Sequence, residues 1–267
     1  MSAVRFSHEE IVREAKFSPE DMTEIKKRRR DHTCLGFAYQ LVFVRLAHRF
    51  PAQQPLEIVD ELLTYVGVQL DVPTENIKAY QQRQPTITEQ RLAVLDYLGL
   101  HRFGESEIKL LEEFLFEEAC RLEQTGPLMI QAKQFLKESG ILFPADDTLR
   151  RLIIRQRQAA REHIYARVAD TLSSDFRKRL DGLFTAGDNR LTLFQSLKRP
   201  PGKASPKAML RLAAKLELIQ ATGILNVDLS WLNNNYQRSL TRYGRRCSAD
   251  RMRALKKDHR YTLQVCL

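Results

Sequence analysis

The sequence is poor in turn formers and lacks reactive centres. Glycine and proline number only 11 and 10 in 267 residues, too few for a fold of short strands and hairpins, so an all-α fold is expected. The four cysteines, Cys34, Cys120, Cys247 and Cys266, lie far apart with no C-x-x-C pair, which argues against a zinc site or a disulfide framework. They read as reduced thiols, the first two packed in a core. No apolar run approaches the roughly 20 residues of a membrane span, and the N-terminus lacks the apolar stretch of a signal peptide. No membrane contact is therefore expected, and a cytoplasmic chain is. No glycine-rich phosphate loop, G-x-S-x-G or H-E-x-x-H pattern occurs, and the six histidines are scattered. Asp146-Asp147 and Glu112-Glu113 are adjacent pairs, which point apart on a helix and have capping or solvation explanations. No catalytic residue, metal or cofactor is expected.

What the chain does have is charge, unevenly placed. Residues 1–149 carry 18 Lys/Arg against 24 Asp/Glu, a net −6, whereas residues 150–267 carry 25 against 9, a net +16. Clustered cations favour a polyanionic partner, because they release condensed counterions on meeting phosphates. The plainer reading is solubility charge, which is usually of mixed sign.

Apolar spacing divides the chain into helices. A helix led in by EIKKRRR carries Leu35, Ala38, Leu41, Val42 and Leu46, with Asp31 or Thr33 as cap and Pro51 as stop. A second places Ile58, Leu62, Leu63 and Val66 on one face. A glycine-containing turn and a short helix from Pro73 or Thr74 follow, then a ridge of Leu92, Leu95 and Leu98. From Glu105 an acidic helix shows a Leu110, Phe114, Ala119 and Leu122 stripe, broken at Gly126 and Pro127. A helix, a turn at Ser139-Gly140 and a long helix from Asp146 to Val168 then form a helix-turn-helix pattern. The stretch RPPGKASP marks a linker. Three spans are expected: a first helical module over 1–104, a second with the helix-turn-helix over 105–198, and a basic linker with further helix over 199–267. Each module contains a helix-turn-helix-like unit, and the tail is basic and helical.

Arginine's planar fork suits phosphate oxygens or the guanine edge, and a helix fits the major groove of duplex DNA. On the long helix Leu149, Leu152, Ile153, Ala160 and Ile164 form the inner stripe. That leaves Arg150, Arg151, Arg155, Arg157 and Arg161 outward as the leading DNA-binding candidates. A solvated structural face is the alternative. The short helix offers Asn76, Lys78, Gln81, Gln82 and Arg83, types suited to adenine and guanine edges, with Ile77 and Tyr80 inward. Lys26, Lys27, Arg28, Arg29 and Arg30 are candidates for phosphate contact at the mouth of their helix. Lys198, Arg199 and Lys203 in the linker, with Arg245 and Arg246 beyond, suit a segment that tracks a backbone or minor groove.

Five segments in order, KRRRDHTCLGFAYQLVFVRLAHRFP, YQQRQPTITEQRLAVLDYLGLHRF, GILFPADDTLRRLIIRQRQAA, LTLFQSLKRPPGKAS and HRYTLQVCL, resemble the N-terminal region of the large transposases of the Tn-three family of replicative bacterial transposons. His259 and Thr262 depart from that pattern, which tends to Arg and Ala there. The resemblance implies sequence-specific binding of terminal inverted repeats by double-stranded DNA contact in the bacterial nucleoid. It also implies a ribonuclease-H-like domain with an Asp-Asp-Glu metal triad far downstream, so that the chain ending at Leu267 is a non-enzymatic fragment of a longer transposase. Any dimer is expected through regions beyond this chain. A second reading is a stand-alone transposition repressor or immunity factor, docking through the acidic helix from Glu105 to Glu123. RNA binding is a third, disfavoured by the lack of an aromatic stacking platform on a sheet.

Overall fold

A computed structural model describes residues 5–53, 55–82, 84–185, 191–200 and 202–267. Among the described residues the regular elements are helices, with two isolated bridges at Gln53/Leu56 and His101/Ile141, so the fold is all-α. The chain forms two compact units that interleave in sequence. One comprises Met1–Lys109 with Ala132–Thr148, the other Leu110–Gln131 with Leu149–Leu267.

The first unit opens with two short helices, α1 (His8–Glu14) and α2 (Pro19–Lys26), each begun by a capping box, Ser7 with Glu10 and Ser18 with Asp21. In each, the serine hydroxyl and the third-position carboxylate satisfy backbone N–H groups that the first turn leaves unpaired. Next comes α3 (Asp31–Ala47), whose run from Leu35 to Val44 is buried on every face. A helix apolar all round belongs at the centre of a core. It packs against α1, α2, α4 (Asp60–Leu70), α5 (Ile77–Gln81) and α6 (Gln84–Leu98).

Close approach explains several details. A Cβ on Gly36 would stand 2.4 Å from the Tyr80 ring, so glycine lets α5 lie against α3. Tyr39 donates its hydroxyl to the Glu57 carbonyl (2.9 Å) and accepts the Val59 N–H (2.9 Å), fixing the chain entering α4. Asp21 is 2 % exposed and accepts from both guanidinium nitrogens of Arg45 (2.9 and 2.5 Å) and from Tyr97 (2.7 Å). Burial works against its charge, but the Arg45, Ser18 and Tyr97 hydrogen bonds outweigh it and hold the carboxyl below its ordinary range. A loop strand from residues 139–145 closes this unit: His101 and Ile141 form a bridge, the Phe143 N–H donates to the His48 carbonyl (2.8 Å), and Leu142 joins the core.

Some expected boundaries move. The cap of α3 is Arg30 without a side-chain bond, and Thr33 instead donates to the Arg30 carbonyl (2.7 Å). The same helix stops at Ala47, before Pro51, because His48 turns left-handed (φ 52°). The turn after α4 is made by Asp71 (φ 55°), not by glycine. Gly67 lies inside α4, where a Cβ would come within 2.9 Å of the Val72 carbonyl oxygen. On α6, Leu92 is 54 % exposed, and the inward positions are Ile87, Val94 and Leu95.

Three longer helices follow: α7 (Glu105–Ala119), α8 (Thr125–Glu138) and α9 (Asp146–Asp170). On α7 the buried stripe is Leu111, Leu115 and Ala119: Ala119 is inward as expected, Leu111 and Leu115 replace Leu110 and Phe114, and Leu110 is 52 % exposed. Gly126 and Pro127 sit in the first turn of α8, where a missing N–H costs nothing. Residues 139–145 join α8 to α9, about twice the three- or four-residue turn of a helix-turn-helix. The second unit continues through α10 (Ser174–Gly182), α11 (Leu193–Lys198), α12 (Pro206–Thr222), α13 (Asn234–Arg246), α14 (Ala249–Ala254) and α15 (Lys257–Val265). Its core joins Ile164 and Tyr165 of α9 to Phe176, Phe194, Tyr236, Leu240, Met252 and Leu263.

Candidate nucleic-acid interface

The second unit holds 26 Lys/Arg against 14 Asp/Glu, a net +12, whereas the first holds 17 against 19. The positive excess therefore survives the five glutamates that α7 and the turn after it bring into the second unit. What matters next is which cations face outward and which are already matched.

On α9 the expected inner stripe is buried: Leu149, Leu152, Ile153, Ala160 and Ile164 all face the core. Of the five arginines opposite it, Arg150, Arg151 and Arg155 are exposed, and Arg157 and Arg161 are half-buried. Arg155 forms an ion pair with Glu112, Arg157 donates to the Thr125 hydroxyl (2.8 Å), and Arg161 pairs with Glu123 (2.9 Å). Glu123 also accepts from Ser239. Glu112 and Glu123 of the acidic stretch are thus matched by arginines of α9, while Glu113 and Glu117 are exposed. Three of the five arginines thus tie α9 to the chain around it.

The other candidates are similarly mixed. Asn76 is half-buried in a single 3-10 turn, Thr74–Asn76. Lys78 and Gln82 are exposed on α5 and just beyond it, Gln81 is half-buried, and Ile77 and Tyr80 are inward as expected. Arg83 lies outside the described residues. Lys26, Lys27, Arg29 and Arg30 are exposed between α2 and α3. Arg28 is not: its guanidinium lies 3.4 Å over the Phe37 ring centroid and pairs with Glu24 (2.9 Å). The paired cations, Lys27 first and then Arg28, hold the Glu24 carboxyl below its ordinary range. In the linker, Arg199 and Lys203 are exposed. Lys198 instead donates to the Gly244 and Cys247 carbonyls, a cation seated on the C-terminal end of α13, and burial lowers its pKa.

Arg245 and Arg246 are exposed in the last turn of α13. They have company that sequence reasoning missed. Tyr236, Leu240 and Gly244 are buried on α13, and the opposite face is open. Arg238 and Arg242 lie on that exposed side, and the helix NNYQRSLTRYGRR contains no carboxylate. The signal was the four-residue spacing of Tyr236, Leu240 and Gly244 with arginine between. Beside α13 a cleft of about 360 Å³ is lined by Gln158, Arg161, Tyr165, Arg242, Arg246 and His259, among others. His259 is held there by Glu162 (2.8 Å) and by the Tyr165 ring (centroids 4.1 Å apart).

A family model described as "Domain of unknown function (DUF4158)" matches residues 1–156, more than half of the chain. The chain belongs to the DUF4158 family. DUF4158 thus takes in the whole first unit, together with α7, α8 and the first turns of α9. The chain is also similar to the transposase for transposon Tn1546 of Enterococcus faecium, 27% identical over 92% of this chain and 25% of the relative. It is 26% identical to the transposase for transposon Tn21 of Escherichia coli, over 98% of this chain and 26% of the relative. The transposase for transposon gamma-delta of Escherichia coli (strain K12) is 25% identical over 84% and 23%. The chain spans about a quarter of the length of the curated relatives it matches. These similarities run well past the DUF4158 match, through the basic helices of the second unit.

Among the described residues no group of three or more His, Cys, Asp and Glu is placed to hold a metal ion, and no helix is long and apolar enough to cross a membrane. What the surface offers chemically is hydrogen-bond donors of fixed positive charge, borne on helices and on the segments between them.

Proposed function

We propose that this chain is the end-recognising part of a DNA transposase: it binds double-stranded DNA at transposon terminal inverted repeats, in the bacterial cytoplasm and on the nucleoid. Strand transfer, in this reading, is carried by sequence outside this chain, whose own role is binding and not catalysis. The observation that carries the proposal is the cation excess of the second unit, 26 Lys/Arg against 14 Asp/Glu, with exposed arginines among them on α9 and α13. Similarity to transposases over more than nine-tenths of the chain supplies the biological setting. Arg150 and Arg151 on α9, the exposed Lys26, Lys27, Arg29 and Arg30 before α3, and Arg199 and Lys203 in the linker are proposed DNA contacts. Lys78 and Gln82 are weaker members of the same set. Arg155, Arg157 and Arg161 contribute by holding α9 in place.

The test is fluorescence anisotropy of a labelled duplex carrying a transposon end, titrated with the chain at several salt concentrations. Neutralising about six phosphates gives a log-log slope on the order of −5. Arg150→Ala with Arg151→Ala reduces the affinity and flattens that slope by about 1 for each phosphate no longer neutralised. A salt-independent affinity, or equal affinity for the transposon end and a scrambled duplex, refutes the specific form of the proposal.

A further inference from the structure

We infer that α13 is a base-reading helix, placing Asn235, Arg238, Arg242 and Arg245 in the major groove of duplex DNA; this rests on the reading of the chain as a DNA-binding protein. Three observations carry it, all within the second unit.

The first is geometry. Tyr236, Leu240 and Gly244 anchor one side of α13, and positions 234, 235, 238, 242 and 245 fall on the opposite side of the same helix. All five are exposed. Thirteen residues make a rod about 20 Å long, and the major groove, about 12 Å wide, admits one helix of that kind.

The second is availability. Among the described residues, Arg155, Arg161, Lys178, Arg253 and Arg260 of this unit are held in ion pairs. Arg167 is stacked over Trp231 (4.0 Å) and Arg179 donates to the Thr222 carbonyl. Among the same residues, no ion pair or side-chain hydrogen bond engages Arg238, Arg242 or Arg245. A charged fork that the fold does not use, repeated along one face, is placed for an outside acceptor.

The third is chemical type. Arginine reads the O6 and N7 edge of guanine through two hydrogen bonds, and asparagine reads the N6 and N7 edge of adenine in the same way. A helix that only gripped phosphates would need charge alone, and lysine would serve. Here Asn234 and Asn235 stand one to three turns before the arginines, and the helix carries no carboxylate to repel the backbone on either side. Lys198 seated on the last carbonyls of α13 fixes the end of the helix from within the fold. On α9, Arg155, Arg157 and Arg161 do not match this pattern, since the fold already engages them.

The experiment is selection by the full chain from a library of duplexes with a randomised central segment, followed by anisotropy on the selected duplex and on a scrambled one. Wild-type chain should yield a consensus. Arg242→Ala and Asn235→Ala should each lose preference at a defined base position, with about 5- to 150-fold weaker binding to the selected duplex and less than threefold change on the scrambled one. Arg242→Lys separates reading from gripping: it keeps the charge, so binding to the scrambled duplex is retained while the guanine preference is lost. Far-UV circular dichroism verifies that each variant is folded. A consensus that survives all three substitutions unchanged overturns the assignment to α13 and leaves the DNA-binding proposal standing. A uniform loss on both duplexes makes the α13 face a phosphate grip and equally overturns it. Failure of the wild-type chain to prefer any sequence refutes both.

Discussion

Replacing Asp21 by alanine removes one carboxylate and strips three elements of a shared support. Asp21 closes the capping box of α2, holds both guanidinium nitrogens of Arg45 on α3, and takes the Tyr97 hydroxyl from α6. Removing one member of a buried ion pair costs about 3–5 kcal/mol, because the other charge stays behind without its partner. The Arg45 side chain keeps 23% of its exposure, so water partly rescues it, and the lower end, about 3 kcal/mol, is expected. With a urea dependence of about 2 kcal/mol per molar, the midpoint falls by about 1.5 M. The assay is urea unfolding read by amide hydrogen exchange of α3 peptides, since the single tryptophan, Trp231, belongs to the other unit. The pH dependence follows from the lowered carboxyl pKa. Such a group adds stability above its unfolded value, near 3.8, and that contribution is lost as pH falls through the folded value. The gap between wild type and Asp21→Ala should therefore narrow below pH 4. A midpoint shift under 0.3 M, taken as about a fifth of the expected shift, or a gap constant from pH 7 down to pH 2, would refute the reasoning.

Three further outcomes are expected. Gly36→Ala gains about 1 kcal/mol of helix propensity but drives a Cβ to 2.4 Å from the Tyr80 ring, and overpacking of about 1–3 kcal/mol makes it a net loss in thermal unfolding; a stabilised variant would contradict this. Glu123→Gln loosens Arg161 and should raise affinity for nonspecific duplex at low salt by about two- to fivefold, since it removes a carboxylate from a cationic surface; unchanged anisotropy in a folded variant counts against it. Burial pushes the Cys266 thiol up to about 12, so iodoacetamide at pH 8 should alkylate it at least about 100-fold more slowly in the native chain than in urea, and equal rates by mass spectrometry would exclude that environment.

Much of the fold can be read from the sequence wherever one apolar stripe is unambiguous. The inner face of α9 is one such case, and so is the all-round apolar run of α3. The stripe of α7 cannot be read in that way. Its apolar residues at 110, 111, 114, 115 and 116 offer two overlapping faces, and only the tertiary neighbours choose Leu111 and Leu115 over Leu110 and Phe114. The candidate interface is less legible for a related reason. An arginine looks equally available in sequence whether or not a glutamate 38 residues away will occupy it, as Glu123 occupies Arg161. Helix α13 carries a clear local signal, a four-residue spacing and no acid. The higher cation density of α9 obscures it, because density says nothing about which charges meet a counter-charge in the fold.

The interleaving of the two units governs how this chain can be cut. A piece ending at Lys109 would keep α1 to α6 but lose Leu142 from their core, the Phe143 N–H that the His48 carbonyl accepts, and the Ile141 partner of His101. It would expose apolar surface and leave backbone groups unpaired. Deletion series that stop there would then mix loss of the second unit's cations with misfolding of the first unit. The first unit should be cloned either with residues 132–148 supplied through a designed connection or within the whole chain, and interface mapping is better done by point substitution than by truncation.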